Sequence, residues 1–251
     1  MGNIKLVLEY DGTNYHGWQI QPDVPTIQGQ VQYALKKIFK QEIIVISAGR
    51  TDRGVHAKGQ VANFRIPRSF PPHKLLLALN SVLPRDIRVR KVQEVSDCFH
   101  ARYSASYKIY RYIIYNGAIV PPWFRNFSWW VIPSLDCDRM RDASSYLIGR
   151  YDFSSFQNQG SPSSSPVRNV EKIKISKKNS FISILIKADG FLYRMARNIT
   201  GTLVEVGRGK LSPLDIGDIL MARDRRKAGP TAPPHGLYLW KVGYPKRFNV
   251  S

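Results

Sequence analysis

The sequence predicts an α+β protein of two similar lobes, each a mixed or antiparallel sheet with packed helices. Three observations predict it. Short runs rich in β-branched and aromatic residues recur in both halves, as in Ile4–Tyr10 (IKLVLEY) and Tyr107–Tyr115 (YKIYRYIIY). Segments with apolar residues at helical spacing lie between them. Strands and helices then follow in a similar order in each half, so a duplicated unit fits, although no sequence repeat marks one. The 251 residues, 43% hydrophobic and 12% aromatic, suffice for one large core or two smaller ones. We expect an N-terminal lobe over 1–104 and a C-terminal lobe over 105–251.

Each element has its own signal. Ile4–Tyr10 alternates as a strand does, and Asp11-Gly12-Thr13-Asn14 is turn chemistry. Thr26 is placed to cap a helix over Ile27–Phe39, whose Val31, Leu35, Ile38 and Phe39 share a face. Strands are expected at Glu42–Ser47 and Gln60–Ile66, then a short helix over Lys74–Val82 stopped by Pro84. Ile87–Val95 and Tyr107–Tyr115 are strands. Residues 116–133, rich in Pro, Trp and Phe, read as the link between halves. The second half continues with a helix over Asp138–Ile148 and strands over Val170–Ser176 and Phe181–Ala188. Helices over Tyr193–Val206 and Leu214–Ala222 and a last strand over Tyr238–Tyr244 complete it. Gln159–Pro166 (QGSPSSSP) reads as a flexible loop.

Charge narrows the function. Lys and Arg total 38 against 18 Asp and Glu, a net charge of +20. Such a field implies a polyanionic partner, nucleic acid before an anionic membrane surface. The 13 tyrosines fit both roles open to them: platforms for unstacked bases and ordinary strand residues. Cys98 and Cys137 form no CxxC pair, which argues against a structural zinc site and suits a reducing compartment. The opening Met1-Gly2-Asn3-Ile4-Lys5-Leu6 lacks signal-peptide and myristoylation patterns. No uncharged apolar run of about 18 residues is present to span a bilayer. We expect a cytoplasmic protein that does not bind a membrane.

The densest chemistry lies at Ala48-Gly49-Arg50-Thr51-Asp52-Arg53-Gly54-Val55-His56-Ala57. One acid sits between two arginines and two glycines, directly after an apolar run. Glycines permit unusual backbone shapes and close approach of a ligand. Neighbouring cations favour a charged carboxylate, and a positioned carboxylate can act as a nucleophile at carbon. The same aspartate can equally be an Asx-turn residue bonding its own loop. The residue pattern leaves both readings open.

Gly49–Ala57 (GRTD-GVHA) resembles the active-site signature of the tRNA pseudouridine synthases of the TruA type. Tyr10–Gln19 (YDGTNYHGWQ), Thr26–Gly29 (TIQG), Phe99–Arg102 (FHAR), Lys108–Tyr112 (KIYRY), Phe191–Gly201 (FLYRMARNITG) and Gly236–Leu239 (GLYL) resemble further segments of that family, in order along nearly the whole chain. Ala196 stands where the family often has valine. The resemblance implies Asp52 as the catalytic aspartate and Tyr110 as the tyrosine that stacks on the target base. It implies Arg197 as the partner of the catalytic carboxylate, Arg50 as a residue that helps open the base stack, and Leu237 as an apolar pocket wall. It implies sheets meeting around a basic central cleft, a homodimer, and action on uridines 38 to 40 of the tRNA anticodon arm. No cofactor is implied, because the isomerisation needs neither redox change nor group donor.

Other features weigh less. Arg194 competes with Arg197 by position alone, and Tyr110 alone would read as a core tyrosine. His56 is read as ordering the loop in preference to acting as general base. Gly207-Arg208-Gly209-Lys210 hints at a phosphate loop, but Leu203 and Leu211 break the pattern, so no nucleotide cofactor is expected. Arg223-Asp224-Arg225-Arg226-Lys227 reads as a solvated cluster facing RNA. Arg85, Arg88, Arg90 and Lys91 fit phosphate contacts or a charge-guarded sheet edge. The rival function is a non-catalytic RNA-binding protein such as a tRNA chaperone. It accounts for the charge and the aromatics, but not for a carboxylate at the centre of an anion-binding loop.

Overall fold

The computed structural model describes residues 2–66, 70–160 and 165–248. Positions 161–164 of the expected flexible loop lie outside the described residues. The elements in chain order are β1 (Gly2–Tyr10), α1 (Ile27–Phe39), β2 (Ile46–Ser47), β3 (His56–Ile66), α2 (Pro72–Val82), β4 (Ile87–Val95), β5 (Tyr107–Tyr115), β6 (Trp129–Trp130), α3 (Cys137–Ser145), β7 (Gly149–Asp152), β8 (Val167–Lys178), β9 (Phe181–Ala188), α4 (Met195–Gly207), α5 (Asp215–Ala222) and β10 (Leu237–Gly243). The fold is mixed α and β, as expected. Two compact units divide the chain: Met1–Ser106 with Tyr238–Ser251, and Tyr107–Leu237.

In the first unit β1 lies between β3 and β4, antiparallel to both, and β2 pairs antiparallel with β3. Ile4, Leu6, Leu8 and Tyr10 alternate along β1 and are all buried. Helix α2 packs on β4 and α1, burying Leu75 and Leu79, while α1 buries Val31 and Leu35. Each such side chain contributes about 1.5–3 kcal/mol by leaving water. Thr26 caps α1, its hydroxyl accepting from Gly29 N at 3.3 Å. The last strand runs parallel to β3, with Tyr238 opposite His56 and Leu239 opposite Ala57. It therefore joins the first unit, whereas the sequence places it in the C-terminal lobe. A parallel partner so distant in the chain leaves no local turn signal to reveal the pairing.

The second unit carries β5, β9, β8 and β7 as successive antiparallel neighbours, with β6 parallel to β5. Ile182, Ile184, Ile186 and Ala188 form the buried face of β9. Helix α3 packs on α4 and β8. Every residue of α4 except Glu205 is buried, including Arg197, Asn198, Thr200 and Thr202. A helix that buries so many polar groups must satisfy them internally.

Two expected elements are corrected. The strand expected over 42–47 shrinks to β2, because helix α1 takes the backbone of Val45. Gln32 Oε1 accepts Val45 N–H at 3.2 Å, and Gln28 Nε2 donates to Val45 O at 3.0 Å. Helix α4 starts at Met195 because Arg194 adopts a left-handed conformation, φ 60°. No helix among the described residues is long and apolar enough to cross a membrane.

Candidate active site

The Asp52 loop is held from beneath by one hydrogen-bonded cluster. Tyr10, at the end of β1, shares a 2.9 Å bond with the Thr51 hydroxyl. Gln60 of β3 donates to Gly49 O at 2.8 Å. Trp18 N donates to Thr51 O at 3.0 Å, and Ala48 N to Val61 O at 2.8 Å. The chain leading into Asp52 is thus anchored, while its own side chain stays half-exposed. Val55 N closes a turn on Asp52 O at 3.1 Å, and Gly54 takes φ 74° to make it.

The opening segment wraps this loop. Gly54 N reaches Tyr15 O at 3.3 Å. Gly17 lies so close beneath that a Cβ there would meet Thr51 O at 2.5 Å, and its φ of 88° suits glycine. The Tyr10 and Trp18 rings are 6.2 Å apart, and both side chains are buried. Burial pushes the Tyr10 phenol up to about 12, although its bonds to Thr51 and Gln60 pull the other way.

His56 orders the loop. It is 1% exposed, and its Nδ1 accepts Gly12 N–H at 3.0 Å. Asp11 Oδ1 lies 3.2 Å from the same nitrogen. The imidazole stacks on Tyr238 at 4.8 Å. Arg50 and Arg53 are exposed, and neither makes an ion pair with Asp52 among the described residues.

The second unit positions the other expected residues. Tyr110 sits mid-way along β5, opposite Ile186, with its ring edge-to-face on Phe191 at 4.7 Å. Arg197 lies on the buried body of α4, and its Nε donates to Ala232 O at 2.7 Å. Leu237 is buried where β10 begins. Just before it the chain presses on Tyr112, whose hydroxyl donates to Pro233 O at 2.7 Å. Arg194, the rival to Arg197, instead lays its guanidinium 4.8 Å over the Tyr193 ring.

The remaining motifs find structural roles. Gly207–Lys210 follows the end of α4, where Arg208 and Lys210 both pair with Glu205. A phosphate loop would lie at a helix N-terminus instead. Arg88 Nη1 donates to Pro84 O and Ile87 O, both at 2.7 Å, so it braces a turn. Arg226 forks onto Asp224, while Arg225 turns inward. Sequence reasoning missed Gln60, a buried amide within an apolar strand. Its only signal was a polar residue where the alternation of β3 calls for none. Among the described residues no cluster of three His, Cys, Asp or Glu side chains could hold a metal ion.

Comparison with known proteins matches the description "tRNA pseudouridine synthase" to residues 6–104 and 143–245. The chain is 51% identical over 244 residues to the tRNA pseudouridine synthase A of Thermoanaerobacter sp. (strain X514), covering 97% of this chain and 100% of that protein. It is 49% identical to the same enzyme of Caldicellulosiruptor bescii, with the same coverage. It is 43% identical to that of Coxiella burnetii (strain Dugway 5J108-111), covering 100% of this chain and 96% of that one.

Proposed function

The chain belongs to the tRNA pseudouridine synthase family, isomerases of uridine in tRNA, and from that premise we propose that Asp52 is its catalytic nucleophile. The observation that carries this reading is the cradle. Tyr10, Gln60 and Trp18 fix the chain before Asp52 at Gly49 and Thr51, Gly54 N on Tyr15 O holds it after, and the Asp52 side chain is half-exposed. A reacting group needs that combination of rigid backbone and open side chain.

The chemistry balances without any other reactant. The C1′–N1 bond breaks with its electron pair going to the base, the base turns, and C5 bonds to C1′. The C5 proton leaves and N1 gains one, so the composition of the nucleoside is unchanged. Asp52 acts by adding to C6 or C1′, or by taking the C2′ proton, and is regenerated in each route. The target base must leave its stack to reach a carboxylate. In this reading Tyr110 offers the ring on which it stacks, Leu237 an apolar wall, and Arg197 the partner of the carboxylate. Arg50, exposed beside the loop, is a cation for the neighbouring backbone or the opened stack. The target uridines are those at positions 38 to 40 of the anticodon arm. The active form is a homodimer working in the cytoplasm, and sedimentation of the purified protein tests the dimer directly.

The decisive experiment incubates the protein with tRNA tritiated at uridine C5. Wild type is expected to release tritium, and Asp52→Ala to release none while still binding tRNA. Release by the variant at the wild-type rate removes Asp52 from the chemistry. Binding without release by either protein leaves only the chaperone role.

A further inference from the structure

Segment 229–232 lies as a strap across α4. Gly229 N donates to the Thr202 hydroxyl at 2.9 Å, and Ala232 N to Arg197 O at 3.2 Å. The contact is close enough that a Cβ on Gly201 would meet Pro230 O at 1.7 Å. The strap delivers Ala232 O, the acceptor 2.7 Å from Arg197 Nε. That bond uses the inner nitrogen of the guanidinium and so constrains its orientation.

One fully buried side chain fastens the strap. Asn198, beside Arg197 on α4, uses its whole hydrogen-bonding capacity. Its Nδ2 donates to Phe156 O and Asn158 Oδ1, both at 2.8 Å. Its Oδ1 accepts from the Thr231 hydroxyl at 2.7 Å and from Arg225 Nη2 at 3.1 Å. Arg225 also donates to the Thr231 hydroxyl at 3.1 Å and to Ala228 O at 3.2 Å. Among the described residues it makes no ion pair, and the oxygens that accept from its half-buried guanidinium are neutral. Holding a cation in that setting is a poor device for stability alone. It is a good device for geometry, because a planar fork reaches several oxygens at once.

We infer that Asn198, Arg225 and Thr231 are positioning residues that hold the 229–232 strap on α4 so that Ala232 O sets the orientation of the Arg197 guanidinium for the reaction. The inference rests on the role proposed for Arg197 and adds the machinery behind it. A guanidinium displaced by a fraction of an ångström still binds RNA, but supports the carboxylate less well.

Single-turnover rates and tRNA dissociation constants, measured in a double-mutant cycle, test it. Thr231→Val keeps the shape and removes the hydroxyl. It is expected to slow the chemical step about tenfold with tRNA affinity unchanged. Thr231→Ser restores the rate to within about twofold, because the hydroxyl returns. Arg225→Lys keeps the charge but loses the fork, and serves as a second route to the same slowing. In an Arg197→Met background, Thr231→Val adds less than about twofold, since both act through one group. Additive effects, or loss of tRNA affinity in place of rate, overturn the inference and leave the network a structural one. If Arg197→Met slows the reaction and neither Thr231→Val nor Arg225→Lys does, only the positioning role fails. If Arg197→Met leaves the rate intact, the fault lies in the role of Arg197, and the inference falls with it.

Discussion

The hydroxyl of Tyr10 illustrates how single groups hold the Asp52 loop and what they cost. It is buried, bonded to Thr51 at 2.9 Å, and its pKa is pushed up to about 12 from 10.0, chiefly by burial. Below pH 10 the phenol is neutral in both folded and unfolded chains, and its contribution is complete. Above that, the unfolded chain releases the proton first, so stability falls as pH rises from 10.0 to about 12. Tyr10→Phe is therefore expected to lower the urea-unfolding free energy by about 1 kcal/mol at neutral pH, through the lost bond. It is also expected to make the alkaline decline between pH 10 and 12 shallower than in wild type. Equal slopes would mean that Tyr10 ionises freely and is not locked beneath the loop. The residues of this site were unequally legible. Asp52 stood out because an acid between arginines and glycines is rare in so basic a chain. Gln60, which carries the other half of the cradle, did not, since nothing in a strand sequence says which buried amide meets a backbone carbonyl 11 residues away.

At the level of elements, α4 shows where sequence patterns reach and where they stop. Its helical period was readable, but the reason for its buried polar residues lies in the strap that crosses it. Gly201 makes that dependence measurable. Glycine to alanine inside a helix normally stabilises by about 1 kcal/mol. Here the added methyl would stand 1.7 Å from Pro230 O, so the strap must move. Gly201→Ala is expected to destabilise by about 3 kcal/mol, seen as a lower thermal midpoint. Gly217→Ala in α5, whose Cβ would meet only Tyr146 Cδ1 at 3.8 Å, is expected to be neutral or stabilising. A gain at both positions would mean that the strap is not tied to the helix. Elsewhere the legible elements have local reasons: α1 has a capping threonine and an apolar face, β9 alternates without a break, and β4 and β5, rich in β-branched and aromatic residues, lie at the expected bounds. β7 and β6 were not readable, being four and two residues long and fixed by neighbours across the sheet. The return of β10 to β3 was not readable either, because its partner lies far along the chain.

For the whole molecule, the excess of 38 basic over 18 acidic residues sets the terms of tRNA binding. Each phosphate neutralised releases counterions, so affinity must fall linearly in logarithm with salt. A surface touching six phosphates gives a slope of about −5 and loses roughly a thousandfold in affinity between 50 and 200 mM salt. The structure divides the cations that can contribute from those that cannot. Arg88 is committed to the carbonyls of its turn, Arg226 to Asp224, and Arg208 to Glu205. Lys227, two residues after the inward-turned Arg225, is exposed and makes no ion pair among the described residues. Lys227→Gln is thus expected to weaken tRNA binding at low salt and to reduce the slope by about 1, whereas Arg88→Gln leaves the slope unchanged. Titration of both variants at several salt concentrations separates these cases. A lower slope for Arg88→Gln would show that its bonds to Pro84 and Ile87 give way to phosphate when RNA arrives. An unchanged slope for Lys227→Gln would put the contacts on other cations and turn the 223–227 cluster into a bracket for the strap alone. Either result bears on the proposed positioning network too, because exposed Lys227 and Arg225, which bonds Thr231 of the strap, both lie within this five-residue stretch.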